Sequence, residues 1–168
     1  MSSERSRHGG VDEIPLPIGP GRLWLCGKLY VGPDPEAAMA AVGATTVVCL
    51  CEAHELAERY PGYVAWLRAN APARALWRPI PDFHAPSGQE ADQLIDEVRG
   101  RLAGGETLLV HCGGGIGRSG TVAAGLLITL GVPFDDALAT VRRHRPMAGP
   151  ENGAQTELLR LLDERRSA

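Results

Sequence analysis

Short apolar runs alternate with longer amphipathic stretches along most of this chain. RLWLCG and KLYVG, separated around Gly27, are expected as two short strands, followed by TTVVCLC, ARALWRPI and TLLVH as further strands. Between them, Asp34-Pro35 offers an N-cap and a first-turn proline to the helix PEAAMAAVG. Helical stretches are expected through HELAERY and, past Pro61-Gly62, through YVAWLRAN. Ser87 and Glu90 have capping-box spacing, and Ala91, Leu94, Ile95, Val98 and Leu102 recur on one helical face, which makes this the best-defined helix. RSGTVAAGLLITLG reads as a helix ending at Gly131, Pro133 opens FDDALATVRRHR, Pro146 closes it, and a last helix runs from about Asn152 to Arg165. Strands alternating with helices predict an α/β domain with a mainly parallel central sheet flanked by helices on both faces.

Length and composition agree with a single domain: 168 residues, 44% hydrophobic and 22% charged, without internal repeats. Residues 1–13 are polar and expected to be a disordered tail, with the ordered domain, 14–168, beginning near Ile14 after which comes a Pro/Gly-rich lead-in. A net charge of -3 with scattered arginines offers no footprint for nucleic acid. There is no apolar run long enough for membrane insertion and no secretory signal, so a cytoplasmic protein is expected. The oligomeric state is not legible. Cys26, Cys49, Cys51 and Cys112 lack paired ligand spacing, so neither a metal nor another cofactor is expected. Cys26 and Cys49 read as small core hydrophobes.

Cys112 has different neighbours. In VHCGGGIGRSG, residues 110–120, a strand runs into a loop with five glycines and then a helix. Gly115-x-Gly117-x-x-Gly120 matches a dinucleotide fingerprint, but the region some 20 residues later is helical where a strand ending in an acid is required. Arg118 stands where a Walker loop needs lysine, and hinge glycines alone leave Cys112 and Arg118 unexplained. The remaining reading is an anion cradle. The amides of Gly113, Gly114, Gly115, Ile116 and Gly117 turn inward around a tetrahedral anion, at a helix N-terminus, and Arg118 grips two oxygens with its planar fork. A cysteine in that field should ionise readily and act as a nucleophile.

His111-Cys112-x5-Arg118-Ser119 resembles the signature of the cysteine-dependent protein tyrosine and dual-specificity phosphatases, and the chain length is similar to the compact dual-specificity branch. The resemblance runs from about Arg22 to the final helix. It implies a phosphatase-type fold and hydrolysis of phosphate monoesters through a cysteinyl-phosphate, most simply of phosphotyrosine and also of phosphoserine or phosphothreonine in proteins, or of a small phosphate ester. Asp82, in the proline-bounded loop IPDFHAPS, matches the general acid, with His84 a poorer substitute. His111 would hold the loop, and Ser119 would hydrogen-bond the thiolate and help it leave. Arg145 to Gln155 resembles the segment leading into the family's last helix, where either Gln155 orients the hydrolytic water or Asn152 merely caps the helix. Leu50-Cys51-Glu52 resembles the position from which some members supply a second cysteine that traps the oxidised nucleophile, and a buried strand cysteine is the other reading of Cys51. Neutral glycines inside the loop disfavour polyanionic substrates. A catalytically silent phospho-binding module, a phosphatase for a non-protein substrate such as a phosphoinositide, and a sulfur-transfer or arsenate-reducing enzyme stay open beside the protein phosphatase.

Overall fold

The computed structural model describes residues 2–168. In chain order its elements are α1 (Ser2–His8), β1 (Val11–Ile14), β2 (Arg22–Gly27), α2 (Lys28–Val31), α3 (Pro35–Val42), β3 (Thr46–Cys49), α4 (Ala53–Leu56) and α5 (Pro61–Asn70). They continue with β4 (Ala75–Trp77), α6 (Gly88–Ala103), β5 (Thr107–Cys112), α7 (Gly117–Thr129), α8 (Phe134–His144) and α9 (Gly153–Ser167). The sheet order is β1-β2-β5-β3-β4, with β1 antiparallel to β2 and the other pairs parallel.

The period-2 alternation of β5 sorts the core into two layers. Leu108 and Val110 pack with α6, α7, α8 and α9, while Leu109 faces Val31, Met39, Leu56 and Leu67 from α2 to α5. Burying each such aliphatic side chain contributes about 1.5–3 kcal/mol, and both faces of the central strand are used, which is why TLLV reads as an unbroken apolar run. Helix α6 carries the anticipated capping box, Ser87 Oγ accepting from Glu90 N, and buries the five anticipated residues Ala91, Leu94, Ile95, Val98 and Leu102. Helix α7 is buried on every side through Ile128, wedged between the sheet and α8 and α9.

Two expectations change. KLYVG is not a second strand: after Gly27 the chain turns into the single helical turn α2, because β2 ends where the loop after β5 comes against it and Lys28 N donates to Gly113 O instead of extending a ladder. Residues 2–13 are not a disordered tail either, with Met1 lying outside the described residues. β1 forms the antiparallel edge on β2, Glu13 pairs with Arg22, and the His8 ring meets Tyr30 edge-on at 5.1 Å. VDEI is too short and too polar to announce itself as a strand, and it is ordered by partners distant in sequence.

Candidate active site

Parallel pairing sets the geometry. Gly27 lies beside Cys112 in β2–β5 and Cys49 beside His111 in β3–β5, so the loop 113–117 leaves the carboxyl edge at the middle of the sheet, where ligands bind in open α/β folds. Gly115 has φ +73°, and a side chain there would run into Cys26 O and the Arg145 guanidinium, so glycine is required. The loop then feeds α7, whose first turn supplies Arg118 and Ser119.

An open cleft of about 300 Å³ is lined by Asp82, Phe83, Cys112, Gly113, Gly114, Ile116, Gly117, Arg118, Met147 and Glu151. The cysteine, the arginine and the acid singled out from sequence thus share one cleft. Arg118 is nearly buried and reaches it through a fixed framework. Its Nη1 donates to Glu55 Oε2 at 2.8 Å and Ile80 O at 2.7 Å, and its Nη2 donates to Glu55 Oε1 at 2.7 Å. Burial works against the guanidinium charge, but the Glu55 hydrogen bonds and the proximity of Cys112 overcome it and hold Arg118 more firmly charged than usual. Burial likewise pushes the Glu55 carboxyl up, and the Arg118 bonds with the Glu52 amide bring it below its ordinary range. The Arg118 Nε–H has no partner among the described residues.

Asp82 is about half exposed, with Oδ1 3.4 Å from Arg118 Nη2 and accepting from Phe83 N. Its loop is held from α9. Asn152 Nδ2 donates to Phe83 O, and Gln155 Nε2 donates to His84 O at 3.2 Å. Asn152 also caps α9 by accepting from Gln155 N. Gln155 is fully buried, its Oε1 accepts from Glu151 N and Thr121 Oγ1, and one of its two Nε2 hydrogens is used by His84 O. His84 turns its Nδ1 to Asp82 O and does not line the cleft.

His111 is fully buried behind the nucleophile. Its Nδ1 lies 3.1 Å from Cys112 O, which can only accept, so Nδ1 carries the proton and Nε2 accepts from Tyr63 OH at 2.6 Å. The hydrogen bond expected from Ser119 to Cys112 is not made: Ser119 Oγ is buried with no partner among the described residues. Cys51 does lie at the carboxyl edge, but its Sγ is within 4.8 Å of Cys49 Sγ and the His111 ring, on the layer with Tyr63, whereas Cys112 packs in the opposite layer. The hydrogen bond with Cys49 and burial push the Cys51 thiol well above its ordinary range. Cys51 is buried and lies just past the end of β3, outside the strand. The Cys49, Cys51 and His111 grouping was not foreseen, but both ring nitrogens of His111 are committed to Tyr63 and Cys112 O, which leaves no imidazole lone pair for a metal.

Sequence reasoning missed Glu55, Glu151 and Arg145. Glu55 and Glu151 are acids in unremarkable local contexts, and only the fold brings Glu55 to Arg118 and the Glu151 carboxylate over Gly117, where any side chain would collide with it. Arg145 is one of the largest fully buried side chains.

Comparison with known proteins identifies the family. The family model for the DSP-PTPase phosphatase domain of Swiss Army Knife proteins (PTP-SAK) matches residues 18–165. Human dual specificity protein phosphatase 22 is 30% identical over 146 residues, covering 84% of this chain and 73% of that protein. The structure of Tk-PTP in its active form is 32% identical, with a TM-score of 0.68 over 88% of this chain and 94% of that one. Kinase associated phosphatase with its catalytic-site cysteine replaced by serine shares the fold at a TM-score of 0.79 and 22% identity, covering 95% of this chain and 96% of that one. Matched over most of its length, the chain belongs to the DSP-PTPase phosphatase domain family, in the compact dual-specificity branch of the cysteine-dependent phosphatases.

Proposed function

We propose that the protein hydrolyses phosphate monoesters, phosphotyrosine in proteins first among them, in two steps through a cysteinyl-phosphate. The observation that carries this reading is the convergence of Cys112, Arg118 and Asp82 on one cleft whose floor is the loop 113–117. Cys112 Sγ attacks phosphorus, the loop amides and Arg118 hold the equatorial oxygens, and Asp82 gives its proton to the leaving oxygen as the P–O bond breaks. Asp82, then a carboxylate, takes a proton from water as that water attacks the thiophosphate, which frees phosphate and returns the thiolate. His111 holds the strand end through Tyr63, while Asn152 and Gln155 brace the acid loop. Ser119 Oγ, unpartnered among the described residues, serves the departing thiolate in the second step. All four cysteines are free, in keeping with a reducing compartment such as the cytosol.

The residues around the cradle support a phosphotyrosyl substrate. Apart from Arg118, the lining has no basic residue and includes two carboxylates, Asp82 and Glu151, which repel a polyphosphorylated headgroup. Phe83 is 62% exposed and Met147 83% exposed, and both line the cleft, which suits the ring of an aryl phosphate. A panel of phosphotyrosyl and phosphoseryl peptides, phosphoinositides and nucleotides tests the assignment, with phosphotyrosyl peptides expected to be turned over best and a preference for phosphoinositides counting against it. Phe83→Ala with Met147→Ala should raise KM for phosphotyrosyl peptides about tenfold, the equivalent of about 1.4 kcal/mol, while barely changing KM for a small alkyl phosphate.

Asp82→Asn should lower kcat by about 10² to 10⁴ on alkyl and phenyl phosphates, with a smaller loss for esters whose leaving group needs no proton. Steady-state rates across a leaving-group series check this. An equal loss for every ester would remove Asp82 as the acid and direct attention to Glu151, the other carboxylate in the cleft.

A further inference from the structure

The amides of the cradle point inward only if their carbonyls are held outward, and the structure shows what holds them. In a trans peptide the C=O and the following N–H point in opposite directions, so an anchored carbonyl fixes the next amide. Arg145, which is 2% exposed, lies behind the loop, with Nη2 donating to Gly114 O at 3.0 Å and Nε donating to Gly115 O at 2.8 Å. Those two bonds set the peptide planes that carry the N–H groups of Gly115 and Ile116. Lys28 N does the same for the preceding plane, which carries the Gly114 N–H, through Gly113 O.

A buried guanidinium needs a counter-charge, and the one it finds comes from the far end of the chain. Arg145 Nη1 donates to Asp12 Oδ2 at 2.8 Å and to Gly10 O at 3.2 Å. Asp12 belongs to β1 and is only 17% exposed, and its carboxylate also accepts from both terminal nitrogens of Arg5. Without that carboxylate the guanidinium would be left charged and uncompensated in the interior, free to abandon the loop for any position that restores a partner.

We propose that Asp12 is a positioning residue for the phosphate cradle, acting through Arg145, so that the edge strand β1 is part of the catalytic unit. The proposal rests on the reading of loop 113–117 as a phosphate site. Coupling of this kind is reciprocal: whatever β1 does for the bound anion, the anion does for β1.

Asp12→Asn keeps the shape and one acceptor but removes the charge. It should weaken binding of inorganic phosphate about tenfold and lower kcat on a phenyl phosphate by a similar factor, and hydrogen exchange at the 114–116 amides should quicken while β5 stays protected. In the wild-type protein, saturating phosphate should slow exchange at the β1 amides 11–14, a measurement that does not depend on the variant folding. Unchanged β1 exchange at saturating phosphate, or an Asp12→Asn protein with wild-type phosphate affinity and loop exchange, overturns the proposal while leaving the cradle intact. A wild-type protein that binds no phosphate overturns the cradle reading, and this inference with it.

Discussion

Replacing Cys112 by serine is expected to abolish turnover, leaving less than about 0.1% of the wild-type rate, while phosphate-ester binding survives. A free thiol ionises near pH 8.5 and a hydroxyl does not ionise in the accessible range, so the variant lacks a competent nucleophile at neutral pH. The rest of the site is untouched by the change. The loop planes are set from behind by Arg145 and Lys28, and Arg118 is held by Glu55 and Ile80 O, none of which involves the sulfur. The substitution is nearly isosteric at a position 3% exposed, and the fold should tolerate it. Calorimetric titration with a phosphotyrosyl peptide, beside a rate assay on the same preparation, checks both halves. Residual activity above about a hundredth of wild type would take the cysteine out of the mechanism, and loss of binding along with activity would show that the variant has lost the cradle itself.

What could be read in advance was the chemistry encoded within a few consecutive residues. Cys112-x5-Arg118 was legible because its strand end, glycine loop and helix start are consecutive in the chain, and the Ser87 and Glu90 pair announces its helix through local hydrogen bonds. The support of that site was not legible because it is assembled from distant parts. Asp12 reaches Arg145 across a sequence separation of 133 residues, and Glu55 reaches Arg118 across 63. Nothing in VDEI or AHEL hints at either contact, since a carboxylate destined for a buried arginine looks, in sequence, like any solvated acid. The same limit explains Cys51. The parallel register that brings it to the carboxyl edge follows from the order of strands, but the layer its side chain faces depends on alternation past the end of β3, where the ladder gives out.

Arg118→Lys should cost about as much as removing a principal transition-state donor, on the order of 10³ in kcat/KM. The guanidinium does two tasks at once. One edge is committed to the protein, with Nη1 and Nη2 spanning the Glu55 carboxylate and Nη1 serving Ile80 O, and in the proposed mechanism the Nε side meets phosphate. An ammonium has three donors around one nitrogen and cannot span Glu55 while also presenting a planar pair to two phosphate oxygens. Lysine would therefore either stay with Glu55 and lose the substrate, or reach the substrate and leave the largely buried Glu55 carboxylate without its partner. Glu55→Gln separates these tasks. The guanidinium keeps its charge and its bond to Ile80 O but loses the charge-assisted fork that aims it, and a loss of about tenfold is expected, mostly in kcat, with phosphate affinity falling less. If Arg118→Lys retains wild-type kcat/KM, charge alone suffices and the bidentate grip is wrong. If Glu55→Gln is as damaging as Arg118→Lys, Glu55 is needed for the arginine to be in the cleft at all, and measuring inorganic phosphate binding in both variants decides between these outcomes.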